Sequence, residues 1–201
     1  IKIMDKKKDF RIGNYLISEK NPTFIVAEIG QAHEGSMKKV IRYIDELSKT
    51  GVNAIKFQTH YAEQESSLDE KFRVKIKKFR TRYDYWKSVE FSSSEWFKIK
   101  KYCNKKKIIF LSSVFSLKGF NILNKIGVAA WKVASGEYNS KYILNEMYKT
   151  KKPLLISTGL MNNNEIFKMH RLLNKKKIQH SFLHCVSSYP VKLEKVGLNN
   201  I

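Results

Sequence analysis

Two stretches decide the reading of this chain: "VNAIKFQTH" (Val52 to His60) and "AAWKVASGE" (Ala129 to Glu137). Each is a short apolar run of strand character, carries one lysine inside it, and ends in small polar or acidic residues. Burying an ammonium group in such a run is costly unless something negative meets it. Lysines flanked by hydroxyl donors suit a phosphate-bearing ligand.

Working outward, further apolar runs begin near residues 24 ("FIVAEIG"), 108 ("IIFLSS"), 153 ("PLLIST") and 180 ("HSFLHC"). They are nearly continuous and bounded by turn residues, as buried parallel strands are. Helical spacing separates them. Met37, Val40, Ile41, Ile44 and Leu47 follow Ser36, with Gly51 as a stop. Ser92 with Glu95, and Asn162 with Glu165, are capping-box signatures that open two more helices. Leu117, Phe120, Leu123 and Ile126 mark another, and Ile143, Leu144 and Met147 a fifth. One interval is long: Thr59 to Phe91 forms an insertion rich in charge and aromatics, and such insertions tend to lie over a site or at an interface. "DFRIGNYLI", ahead of the first strand, is expected to form a small hairpin.

Six strand-helix units fit either an open doubly wound sheet or a (β/α)₈ barrel. No Gly-rich dinucleotide fingerprint follows a strand, so the expected fold class is an α/β TIM barrel, with the chain supplying its first six βα units. Residues 1–23 read as a hairpin and lead-in, and 24–201 as a partial barrel domain.

Bulk composition narrows the function. No apolar run is long enough for a membrane span, and the N-terminus lacks a signal-peptide core, so a soluble, cytoplasmic protein with no membrane partner is expected. Cys103 and Cys185 give neither a disulfide framework nor zinc spacing, and Cys103 falls on a helical pattern as a buried free thiol. The net charge of +21 invites a nucleic-acid reading. Against it, only six of the basic residues are Arg, and the Lys runs at 105–107 and 175–177 precede strands, as solvated helix ends do.

Reactive groups of a barrel sit at the C-terminal ends of its strands. Those ends carry Glu28, Gln31, His33 and Glu34; Lys56, Gln58 and His60; Ser112 and Ser113; Lys132, Ser135 and Glu137; Ser157 and Thr158; and His184, Ser187, Ser188 and Tyr189. Each has a plainer reading: serines cap helices, and Glu28 pairs with Lys56 across neighbouring strands. Together, lysines and hydroxyls suit a phosphate, and carboxylates suit proton transfer.

The motifs "FIVAEIGQAHEGS", "AIKFQTH", "FLSSVFS", "WKVASGEYN", "KPLLISTGL" and "LHCVSSYP", in this order, resemble the sialic acid (N-acetylneuraminate) synthase family. That resemblance implies condensation of phosphoenolpyruvate with an N-acetylated hexosamine such as N-acetylmannosamine. It implies phosphoenolpyruvate contacts from Lys56, Ser113, Lys132, Ser135, Ser157 and Ser187. Gln58 and Tyr189 match sugar-contacting positions, and Glu28 and Glu137 the site carboxylates, with Glu137 the better candidate for proton handling. The family also implies a divalent metal, manganese or magnesium, with ligands beyond Ile201, and a C-terminal antifreeze-like domain and homodimer in the complete enzyme. Ala32, Val114 and Leu160 depart from common family residues; none removes a charge, and they bear on sugar specificity. The alternatives are the same chemistry on a legionaminic or pseudaminic acid precursor, a non-catalytic fragment that keeps a phosphate site, and a basic nucleic-acid-binding protein.

Overall fold

The apolar runs become strands in the computed structural model, which describes residues 10–72, 78–188 and 190–200. By contact density the chain divides into two compact units, Ile25–Val128 and the N-terminal segment through Phe24 with Ala129 onward.

The unit Ile25–Val128 holds three parallel strands in sequence order: β3 (Val26–Gly30), β4 (Ala54–Thr59) and β5 (Ile109–Val114). Strand alternation sorts their side chains. Ile55, Phe57 and Phe110 are fully buried, and Phe57 stacks against Phe110 and meets Trp96 edge-on. Lys56 and Ser113 project together from the opposite face. Helix α1 (Met37–Leu47) starts at Ser36, whose hydroxyl accepts from Lys39 N–H, and buries Val40 and Ile44. Helix α4 (Ser93–Lys105) starts at the Ser92–Glu95 capping box and buries Trp96, Ile99 and Cys103. Burial pushes the Cys103 thiol up to about 12, as an inert core cysteine requires. Helix α5 (Leu117–Ile126) follows β5. Within the insertion, α2 (Ala62–Glu65) and α3 (Arg82–Val89) form, the latter on a Thr81–Asp84 capping box.

The other unit contains the expected hairpin, β1 (Phe10–Ile12) antiparallel to β2 (Tyr15–Ile17). Three parallel strands follow in order: β6 (Trp131–Val133), β7 (Leu154–Ser157) and β8 (His180–Leu183). Helices α6 (Lys141–Lys149) and α7 (Asn163–Lys175) connect them, α7 on the Asn162–Glu165 capping box.

The basic runs are helix ends. Lys107, Lys151 and Lys177 follow α4, α6 and α7, and all three take positive φ, between 54° and 57°. That conformation usually falls to glycine at the end of a helix. Lysine tolerates it at some cost while placing positive charge beside the helix C-terminus. Replacing Lys107, Lys151 or Lys177 singly by Gly should therefore raise stability by about 0.5–1 kcal/mol. Urea unfolding measures this; a loss at all three would mean that charge outweighs backbone strain.

Candidate active site

Glu28 reaches Lys56 through an irregularity in β3. Register runs Glu28 opposite Lys56, then Gly30 opposite Phe57, so Ile29 is the extra residue of a bulge. Gly30 has φ +52°, a conformation glycine adopts without steric cost. Lys56, 8% exposed, forms an ion pair with the Glu28 carboxylate and donates to Ser113 Oγ at 3.4 Å. Gln58, next on the same face of β4, lies 3.5 Å from Gln31 through the two amides. A Cβ at Gly30 would stand 3.5 Å from Glu28 Oε1 and 3.7 Å from Gln58 Nε2, so Gly30 lies directly beside both polar groups.

Lys132 in the second unit is 7% exposed and donates to Ser157 Oγ at 2.6 Å and to the Val133 carbonyl at 2.7 Å. Beyond β6 the chain makes one 3₁₀ turn, Ser135–Glu137. Ser135 Oγ accepts from Gly159 N–H at 3.3 Å, and Glu137 Oε2 accepts from Ser140 at 2.6 Å. A methyl group on Gly159 would stand 2.5 Å from Ser187 Oγ, 3.0 Å from Ser135 Oγ and 3.2 Å from Cys185 Cβ. Gly159 thus lets those two hydroxyls approach the backbone after β7. Cys185, half-buried, belongs to this cluster, which sequence reading did not foresee. Tyr189 lies outside the described residues.

Each unit therefore gathers a buried lysine with a serine hydroxyl from the neighbouring strand. Lys56 joins Ser113, Gln58 and Glu28; Lys132 joins Ser157, with Ser135 and Ser187 meeting at Gly159. Such charge-assisted donors can hold phosphate or carboxylate oxygens.

The histidines are committed elsewhere. His33 Nδ1 accepts from Gly35 N–H at 3.1 Å, and its ring packs on Phe91 with centroids 4.7 Å apart. His60 contacts Glu65 at 2.6 Å, and His184 Nε2 donates to the Val196 carbonyl at 2.7 Å. Among the described residues no three His, Cys, Asp or Glu side chains gather as ligands for a metal ion. None of the described residues is thus assigned to the divalent metal that the resemblance implies, whose ligands that resemblance places beyond Ile201.

Parallel strands alternating with helices, with polar groups at their C-terminal ends, define an α/β barrel-type protein with buried lysine–serine pairs. Residues 43–201 match the model of the NeuB family, and the chain belongs to that family. It is 35% identical over 192 residues to an uncharacterized protein, MJ1065, of Methanocaldococcus jannaschii, covering 95% of this chain and 54% of that protein. It is 30% identical over 197 residues to pseudaminic acid synthase of Campylobacter jejuni, covering 95% and 57%. Among solved structures, the N-acetylneuraminic acid synthetase of Leptospira borgpetersenii in complex with citrate superposes with a TM-score of 0.82 at 30% identity, covering 96% of this chain and 65% of that one. The fold is thus that of the sialic acid synthase barrel, as the strand rhythm predicts, and the chain spans about half the length of the curated relatives it matches. No helix among the described residues is long and apolar enough to cross a membrane.

His33 gives a pH test of this region. It is fully buried, and burial, with His60 nearby, pushes its pKa down to about 4 from 6.5. The unfolded chain binds the extra proton first, so stability is full above pH 6.5 and falls as pH drops towards 4. Between pH 7 and 5 the loss should be about 2 kcal/mol. Thermal or urea unfolding of a His33→Asn variant should lack that component; an equal pH slope in both proteins would remove His33 as its source.

Proposed function

We propose that this chain carries the phosphoenolpyruvate-binding part of a nonulosonate synthase, which condenses phosphoenolpyruvate with an N-acetylated hexosamine and releases phosphate. The observation that carries this reading is the pairing of a buried strand lysine with a neighbouring serine in each unit, Lys56 with Ser113 and Lys132 with Ser157. The names of the relatives support it: they are synthases of pseudaminic acid and N-acetylneuraminic acid.

In this reading Lys56, Ser113, Lys132, Ser135, Ser157 and Ser187 take the phosphate and carboxylate oxygens of phosphoenolpyruvate. Glu28 holds Lys56 extended before the anion arrives. The enol C3 attacks the aldehyde carbon of the open-chain sugar, and its π electrons form the new carbon–carbon bond. The aldehyde oxygen gains a proton and becomes a hydroxyl. Water adds to the cationic C2, and the C2–O bond to phosphate then breaks, leaving a ketone. Glu137 handles a proton in this sequence, with its carboxylate oriented by Ser140. Gln58 and Tyr189 contact the sugar. The complete protein works as a homodimer with a divalent metal, in the cytoplasm.

The sugar is N-acetylmannosamine-like. Similarity to the Campylobacter enzyme supports a second reading, in which the acceptor is the precursor of pseudaminic acid. Phosphate release measured with each sugar in turn separates the two.

Phosphoenolpyruvate binding, followed by calorimetry, tests the anion clusters. Lys132→Ala should weaken it by roughly 10- to 100-fold, the size of a charged hydrogen bond. Undiminished binding would sink the assignment. Glu137→Gln should cut turnover by at least about 100-fold with little change in phosphoenolpyruvate affinity, the mark of a group acting on the reacting atoms. Unchanged turnover would remove it from the chemistry.

A further inference from the structure

His60 is built into the end of β4 more firmly than a packing residue requires. Its ring lies between Trp86 of α3, with centroids 3.9 Å apart and planes at 15°, and Phe115, at 4.2 Å and 8°. The side chains of His60 and Glu65 are 5% and 7% exposed. Glu65 uses both carboxylate oxygens: Oε1 accepts from Tyr61 N–H at 2.8 Å, and Oε2 lies 2.6 Å from His60 Nδ1. A carboxylate only accepts, so the proton between them sits on Nδ1. Nε2 faces the Gln58 side-chain amide, whose oxygen stands 3.4 Å away; without a proton Nε2 only accepts, so pairing with it turns the N–H end of that amide to the ring. The other end of that amide, its oxygen in this arrangement, lies beside Gly30 and Glu28 Oε1.

An amide has a donor end and an acceptor end, and whatever faces His60 decides which end is presented beside Gly30 and Glu28. We propose that His60 is a positioning residue. Glu65 fixes its proton on Nδ1, the Trp86–Phe115 sandwich fixes its plane, and Nε2 thereby fixes which end of the Gln58 amide meets the ligand. This rests on the reading of Gln58 as an amino-sugar contact. The group it orders for is a donor of the sugar, an O–H or N–H, held between the Gln58 amide oxygen and Glu28. Trp86 belongs to the insertion, so the insertion acts on the sugar through His60 without needing to touch it. His60 itself does not meet substrate, and phosphoenolpyruvate recognition by Lys56 and Ser113 is independent of its tautomer.

Nitrogen-15 NMR of the histidine rings tests this without substrate. The chain has five histidines, and His60→Asn identifies the signal. In its neutral form wild-type His60 should carry its proton on Nδ1, and Glu65→Gln should transfer it wholly or partly to Nε2. In the complete protein Glu65→Gln should raise the KM for the amino sugar roughly tenfold, the size of one hydrogen bond, while the KM for phosphoenolpyruvate stays within about twofold. Trp86→Ala should raise the same sugar KM with the proton still on Nδ1. A wild-type ring protonated on Nε2 overturns the proposal whether or not any variant folds. So does an equal rise in both KM values. A wild-type protein that condenses no amino sugar instead overturns the synthase reading, and with it the sugar contact at Gln58, while the ring proton is still decided by the spectrum.

Discussion

Placing an ammonium group inside an apolar strand costs several kcal/mol unless partners replace its water. Much of the local architecture around Lys56 and Lys132 answers that demand. For Lys56 the answer is a bulge that turns Glu28 towards it, and a serine one strand away. For Lys132 it is a serine on β7 and a carbonyl of its own strand. Both solutions depend on register: a slip of one residue would send Lys56 to the face of Phe57 and Phe110, and Lys132 to the face of Trp131 in its own unit. The groups able to bind an anion are thus also the groups that hold the strands in step.

The regular elements were legible because their signals are local. All six apolar runs became strands, and Ser36, Ser92 and Asn162 cap helices as their spacing indicates. The hairpin ahead of the first strand was legible too. Helix α3 was not, since its apolar and polar residues are mixed around its axis. Its one usable sign was Thr81 followed three residues later by Asp84, which forms a capping box. Of the pairings that depend on tertiary geometry, Glu28 with Lys56 was legible because both stand at the ends of consecutive strands, but the others were not. Nothing local joins His60 to Glu65 and Trp86, and nothing marks Ile29 as the bulged residue.

The positive charge has a structural explanation of its own. Lys39, Lys49, Lys87, Lys106, Lys118 and Lys149 pair with carboxylates on exposed helix surfaces, where such pairs contribute little to stability. Others terminate helices at positive φ. The two lysines with chemical potential are the buried ones, and they make up a small share of the total.

Gly159 meets two hydroxyls and a cysteine with only its backbone. Its φ is not in the left-handed region, so space rather than conformation demands glycine there. A methyl group at residue 159 would force the Ser187 hydroxyl to swing away, so a change there dismantles the arrangement rather than adjusting it. Variation is channelled to positions 135, 185 and 187, where Cys185 is the member that can change without removing a hydroxyl donor. Evolutionary drift in ligand preference, or an engineer's attempt to redirect it, has its freest entry through that thiol.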